Sequence, residues 1–233
     1  MRKYENPREE IWEMIHTDLN NLLVQAGKLH GHYCPYLALG VKAGAKGITE
    51  LDVEHEGMEE VIAIVEANNC FSDGIQYSTG CTFGNNSLVY RDYGKTAVTI
   101  AHRGEEGGLR VVVKPSARKS WEEEYPEYQE VFNKVVKERS GDERDRERMM
   151  DLAQKVSFEV MQIDPEELFK IESVIPELPE YAPIFESVIC DACGENVMAT
   201  RIVERGDEKL CIQCADEGYH ELDGRGIHLK RGT

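Results

Sequence analysis

Histidine, cysteine and carboxylate side chains gather in three short stretches of this 233-residue chain. The first is "LHGHYCPYLALG", in which His30, His32 and Cys34 fall close together and Pro35 follows at once. If a helix starts at Pro35, Cys34 is its N-cap, where unpaired amides and the positive helix end stabilise an anion. A thiol so placed is expected to ionise early and to serve as a nucleophile or a metal ligand. His32 can converge on the same point from an irregular turn. The second stretch, "NNCFSDGIQYSTGCTFGNN", carries Cys70, Asp73, Gln76, Thr79 and Cys81. Its glycines at 74, 80 and 84 read as backbone bent to deliver side chains to a site.

The third stretch has Cys190-x2-Cys193, then 17 residues, then Cys211-x2-Cys214. Two knuckles of this kind present two thiolates each, and four sulfurs close a tetrahedral shell suited to structural zinc. A tail this short cannot build a proper core and needs such a staple. Rubredoxin-like iron or two redox dithiols are the alternatives.

Elements must position these groups. Asn6 and Pro7 open a helix whose apolar stripe runs through Ile11, Ile15, Leu19, Leu22, Leu23 and Ala26. A second helix is expected from Pro35 through "PYLALGVKAGAKG". "EVIAIVEAN", "SLVYRDY", "KTAVTIAHR" and "LRVVVKP" read as strands, the last two joined by a tight reversal at "GEEGG". "CFSDGIQYSTGC" reads as a helical turn within a loop. From Ser116 to about Ile163 the chain is helical and charged, broken near Ser140–Gly141, with Val131, Phe132, Val135 and Val136 expected to pack on the sheet. "FKIESVIP" returns as a strand. The expected class is α+β, a mixed or antiparallel sheet packed with helices (residues 1–175). A proline-rich linker (176–185) and a small zinc ribbon (186–233) follow.

Composition narrows the function. Forty-one per cent of residues are hydrophobic, enough for a core. No apolar run nears the roughly 20 residues that span a bilayer, so no membrane partner is expected. "MRKYENPREEIW" has no apolar signal-peptide region, which makes a cytoplasmic location the default. With 27 basic against 44 acidic residues the net charge is −17, and such a surface repels the phosphates that dominate nucleic-acid affinity. The tail itself is acidic, so docking to protein or plain stabilisation is expected of it. His220 and His228 are read as solvated.

Together, "GHYCPYLALGVKAG" and "CFSDGIQYSTGCTFGN" resemble the FmdE family of formylmethanofuran dehydrogenase-associated proteins, over roughly residues 10–175. Gly31, His32, Cys34 and Pro35 fill its G-H-x-C-P segment. Asp73, Ile75, Gln76, Thr79, Gly80, Cys81, Thr82, Gly84 and Asn85 fill its second; Gly74 stands where alanine is expected, a conservative departure. Some members resemble this chain further in carrying a C-terminal zinc ribbon. The dehydrogenase for which the family is named uses a molybdenum or tungsten pterin. This chain shows no framework for one, so the resemblance implies an accessory or associated protein in formylmethanofuran or related one-carbon metabolism.

Three readings follow. In the first, His32, Cys34, Cys70 and Cys81 hold a second metal ion, zinc by donor type, with a position left open and Asp73 orienting a ligand. His30 only supports the turn. In the second, the chain is an enzyme in which Cys34 is nucleophile, His32 base and Cys81 resolving thiol, or a metal activates water. In the third, the ribbon is an interaction module and the N-terminal cluster is structural. The expected partners are a second copy of the chain and the polypeptides of formylmethanofuran dehydrogenase.

Overall fold

In the computed structural model, which describes residues 6–53 and 58–231, the chain opens with two helices rather than one. Asn6 accepts the Arg8 N–H at 2.9 Å and turns the chain into α1 (Glu9–Thr17). Asp18 then leaves the helical region (φ −151°, ψ 78°), and its carboxylate accepts the Asn21 N–H at 3.0 Å to cap α2 (Leu19–His30). The apolar spacing runs through the break, so only the capping chemistry betrays it. Gly31, at φ 89°, ends α2 in the left-handed region and reverses the chain toward α3 (Pro35–Leu51). Cys34 is the N-cap of α3, accepting the Leu37 N–H at 3.4 Å, with Pro35 at the first helical position.

One mixed sheet follows. Its strands are β1 (Val61–Val65), β2 (Leu88–Tyr90), β3 (Ala97–His102), β4 (Gly108–Val113) and β5 (Phe169–Val174). They lie in the order β2-β1-β3-β4-β5, with β1 and β2 parallel and the other neighbours antiparallel. Every residue of β1 is buried, as its unbroken Val/Ile/Ala run requires.

The segment between β1 and β2 corrects the sequence reading. Cys70–Thr79 forms a full helix, α4, capped by Asn69, whose side chain accepts the Phe71 N–H at 3.0 Å. Gly74 lies inside that helix and is a contact, not a bend. A β-carbon there would sit 2.5 Å from the Leu37 carbonyl oxygen and 2.6 Å from the Val41 nitrogen of α3. One at Gly40 would overlap the Phe71 carbonyl oxygen. The two backbones therefore touch through paired glycines, and the alanine that looked conservative does not fit this chain.

Four further helices complete the domain. They are α5 (Pro115–Glu124), α6 (Pro126–Phe132), α7 (Glu143–Gln162) and the short α8 (Pro165–Leu168), with a π-turn at Asn133–Lys137. Asp142 and Asp145 exchange side-chain and backbone hydrogen bonds in a capping box that starts α7 after the break at 140–141. α6 packs against α5 and α7 rather than on the sheet, and Val136 is left exposed. Lys42 of α3 is buried and donates to the carbonyls of Met161 (3.0 Å) and Ile163, tying α3 to the end of α7. No helix among the described residues is long and apolar enough to cross a membrane.

The chain divides into two compact units after Leu178, inside the stretch read as a linker. The second unit consists of three antiparallel pairs. These are β6 (Ser187–Ile189) with β7 (Asn196–Met198), β8 (Ile202–Arg205) with β9 (Glu208–Cys211), and β10 (Tyr219–Asp223) with β11 (Gly226–Lys230). Its buried core is Cys190, Leu210 and Ala215.

The glycine crossing generates a stability test. In a free helix, alanine beats glycine by about 1 kcal/mol. Overpacking against a rigid backbone costs about 1–3 kcal/mol. Gly74→Ala is therefore expected to lower the urea midpoint at unchanged m-value, whereas Gly107→Ala, with nothing within 4 Å, stays within about 0.5 kcal/mol of the parent. A Gly74→Ala protein more stable than the parent would refute the close crossing.

Candidate metal centre

The crossing brings two helix N-termini together. Cys34 caps α3, Cys70 begins α4, and each lies about one turn from the glycine contact. The last residue of α2 supplies His30, and the turn beyond Gly31 supplies His32. Ligand atoms of His30, His32, Cys34 and Cys70 all lie within 4.8 Å of one another. The His30 and His32 rings are 4.3 Å apart between centroids.

Asp73, on the first turn of α4, accepts from His30 Nδ1 at 2.7 Å and from Gln76 Nε2 at 3.0 Å. A carboxylate partner puts the His30 proton on Nδ1 and leaves Nε2 as a lone-pair donor, 4.0 Å from the Cys34 sulfur. This carboxylate–histidine couple is the usual support of a metal-bound imidazole. His30 thus faces the cluster, where sequence reasoning gave it only a supporting part. The signal was available: an imidazole in the last turn of a helix that ends beside two other candidate ligands.

Cys81 is not brought to the cluster. It is fully buried and its thiol donates to the Val61 carbonyl at 3.3 Å. Reading 70–81 as a loop allowed both cysteines to converge. As a helix rising about 1.5 Å per residue, the segment holds its two ends roughly 15 Å apart. Neither the metal role nor the resolving-thiol role expected of Cys81 fits that position.

Proton affinities also depart from expectation. Cys34, expected to be the acidic thiol, is pushed up, first by its hydrogen bond to Cys70 and then by burial. Cys70 is pulled down to about 6 by the same hydrogen bond, which overcomes its burial, with help from His30. The pair shares one proton, and the thiolate is on Cys70. Burial, and next the neighbouring His30, lower His32, which favours the neutral imidazole that metals bind. As for a base, His30 rather than His32 stands nearest to Cys34.

In the second unit, Cys190, Cys193, Cys211 and Cys214 form another cluster within the same 4.8 Å limit. The Cys211 N–H donates to the Cys190 sulfur and the Cys214 N–H to the Cys211 sulfur, each at 3.3 Å. Amides of Cys193 and Cys211 hold the Cys190 thiol down to about 6. A third group, Glu221, Asp223 and His228, already has cations: Arg225 lies 2.6 Å from Asp223 and Lys230 3.2 Å from Glu221. His228, expected in solvent, is half-buried beside Glu221.

The family model described as "FmdE, Molybdenum formylmethanofuran dehydrogenase operon" matches residues 29–170. The chain belongs to the FmdE family. A prokaryotic dksA/traR C4-type zinc finger matches residues 183–220 and spans all four tail cysteines. A "Probable S-adenosyl-L-methionine-binding protein" of Archaeoglobus fulgidus is 44% identical over 216 residues, which cover 91% of this chain and 57% of that protein. The crystal structure of an FmdE-like protein of tungsten formylmethanofuran dehydrogenase from Syntrophus aciditrophicus aligns over 84% of this chain and 91% of its own. The TM-score is 0.51 and the sequence identity 22%, a likeness of fold.

The shared proton makes the metal-free FmdE domain sensitive to pH. The folded Cys70 value lies below the ordinary thiol value of about 8.5. Its stabilising contribution is therefore fully present above that value and is lost as pH falls through about 6. Ultraviolet thiolate absorbance of metal-stripped protein should show a transition near there, and Cys34→Ala should move it upward. An unmoved transition would show that Cys34 does not donate to Cys70.

Proposed function

We propose that this FmdE-family chain is a metal-binding protein with two centres of different kind. His30, His32, Cys34 and Cys70 hold a divalent ion of the zinc class, and the four tail cysteines hold a structural zinc. The observation that carries the first centre is the convergence of four N/S donors from α2, the following turn, α3 and α4, a donor set matched to zinc. Asp73 supports it by keeping the His30 proton on Nδ1.

The first centre adjoins a cavity that His32, Cys34 and Cys70 line. When bound there, zinc supplies Lewis-acid polarisation of a ligand group reaching the same space. The chain's own part is to present neutral imidazoles, to keep the thiolate charge at Cys70 in the metal-free state, and to hold bulk water away from a largely apolar cavity. Membership of the FmdE family supports a role accessory to formylmethanofuran dehydrogenase or a related one-carbon system. The S-adenosyl-L-methionine named for the Archaeoglobus fulgidus relative belongs to a protein of which this chain spans 57% of the length. That ligand stays with the longer protein.

Metal analysis tests the assignment. The purified chain is expected to carry two zinc equivalents. His30→Ala, Cys34→Ala or Cys70→Ala should each remove one, while Cys81→Ala should keep both. Asp73→Asn should weaken the first centre by about tenfold or more. Retention of both equivalents by Cys70→Ala would defeat the proposed ligand set.

A further inference from the structure

The cavity beside the His/Cys cluster has a volume of about 440 Å³, within the roughly 300–1,000 Å³ common to small-molecule sites. Its walls come from elements the metal centre does not use: α5, α6, the π-turn and α7. Trp121 meets Tyr36 edge to face at 6.4 Å, and Tyr128 lies 6.0 Å from Phe132. Met149 adds a pliable wall. Such a surface suits a flat apolar body.

Charge supplies the second half of the argument. With 44 acidic residues in 233, a lining drawn at random from this chain would include several carboxylates. The cavity lining contains none, and its charged members are Arg118 and Lys137. Glu122 takes up part of the Arg118 charge through a contact of 2.5 Å. Lys137, exposed at the end of the π-turn, makes no ion pair among the described residues. In a chain of net charge −17, this rim is a place where an anion is drawn in rather than repelled.

We infer that the cavity binds a flat, apolar-bodied organic anion, its ring system among Trp121, Tyr128 and Phe132 and its charged group at Arg118 and Lys137. The inference rests on the metal reading only for the ligand's other end, which reaches His32 and Cys70. A volume of this size takes one fused ring system, not a dinucleotide. The rim also disfavours cationic ligands of the same shape.

The test uses the zinc-loaded full chain and three probes of one shape: 2-naphthoate, 2-naphthalenemethanol and 2-naphthylmethylamine. Calorimetry follows binding, and zinc content is measured on every sample. Naphthoate is expected to bind saturably and the amine at least tenfold more weakly. The Arg118→Gln/Lys137→Gln double variant, changed only at exposed positions, should lose about tenfold for naphthoate and nothing for the neutral alcohol. Equal affinity for amine and carboxylate, or a double variant that binds naphthoate as the parent does, would overturn the anion assignment. Failure of naphthoate to bind a fully zinc-loaded chain would overturn the cavity proposal and leave the metal reading intact. Undiminished naphthoate binding by a Cys34→Ala chain that has lost one zinc would support the cavity and remove the metal from it.

Discussion

Everything at the N-terminal centre depends on how closely α3 and α4 approach. Two helices whose side chains intervene pack with axes about 8–10 Å apart. Here Gly40 and Gly74 remove the side chains at the crossing, and backbone meets backbone. Because the contact lies about one turn from each N-terminus, it sets the separation of Cys34 and Cys70. It also decides which residues of α4 face α2. Asp73 reaches His30 only because the first turn of α4 lies against the end of α2. A crossing wider by one methyl layer would separate the sulfurs and free the imidazole, although no ligand residue had changed.

The same geometry sets the electrostatics. Two thiols at two helix N-termini would each be acidic if they stood apart. Held together and partly buried, they cannot both ionise cheaply, and the charge settles on one of them. It settles on Cys70, which has His30 nearby, while the more deeply buried Cys34 keeps the proton. A divalent cation relieves that conflict by binding both sulfurs as thiolates, with imidazoles that are already neutral. Proton sharing in the metal-free cluster and readiness for a soft divalent ion have one cause.

Legibility in the sequence followed the range of each interaction. The tail cysteines were readable because a C-x2-C knuckle is closed by its own amides, and two at this spacing form one shell. Cys34 as an N-cap was readable because proline at the next position is a local signal. Asp18 splitting the first helix was equally local, but a continuous apolar stripe hid it. Cys81 was misplaced because glycine in "SDGIQ" carries opposite meanings by context. In a loop it bends the chain; in α4 it admits another helix. The partnership of His30 with Asp73 was invisible for the deeper reason that it spans 43 residues. It exists only through the α3–α4 crossing, which no periodicity encodes. The cavity was hidden likewise, since its apolar walls looked like the faces of helices laid on a sheet.

The two cysteine-bearing centres differ in what surrounds them, and that difference bears on what each can do. The tail buries Cys190, Leu210 and Ala215 and little else. Its strand pairs are short, and a unit this small has no other source of cohesion than its four thiolates acting together. A metal so employed is committed to the fold. The N-terminal cluster instead lies at the edge of a core that includes Leu22, Leu37, Ile75 and Ile100, all fully buried without reference to any ion. Its ligands are placed by helix ends and a glycine contact, neither of which depends on a bound cation. A centre positioned by the fold, rather than required by it, can exchange ligands without unfolding the domain. It also stands at the wall of the apolar cavity, where such exchange has chemical use.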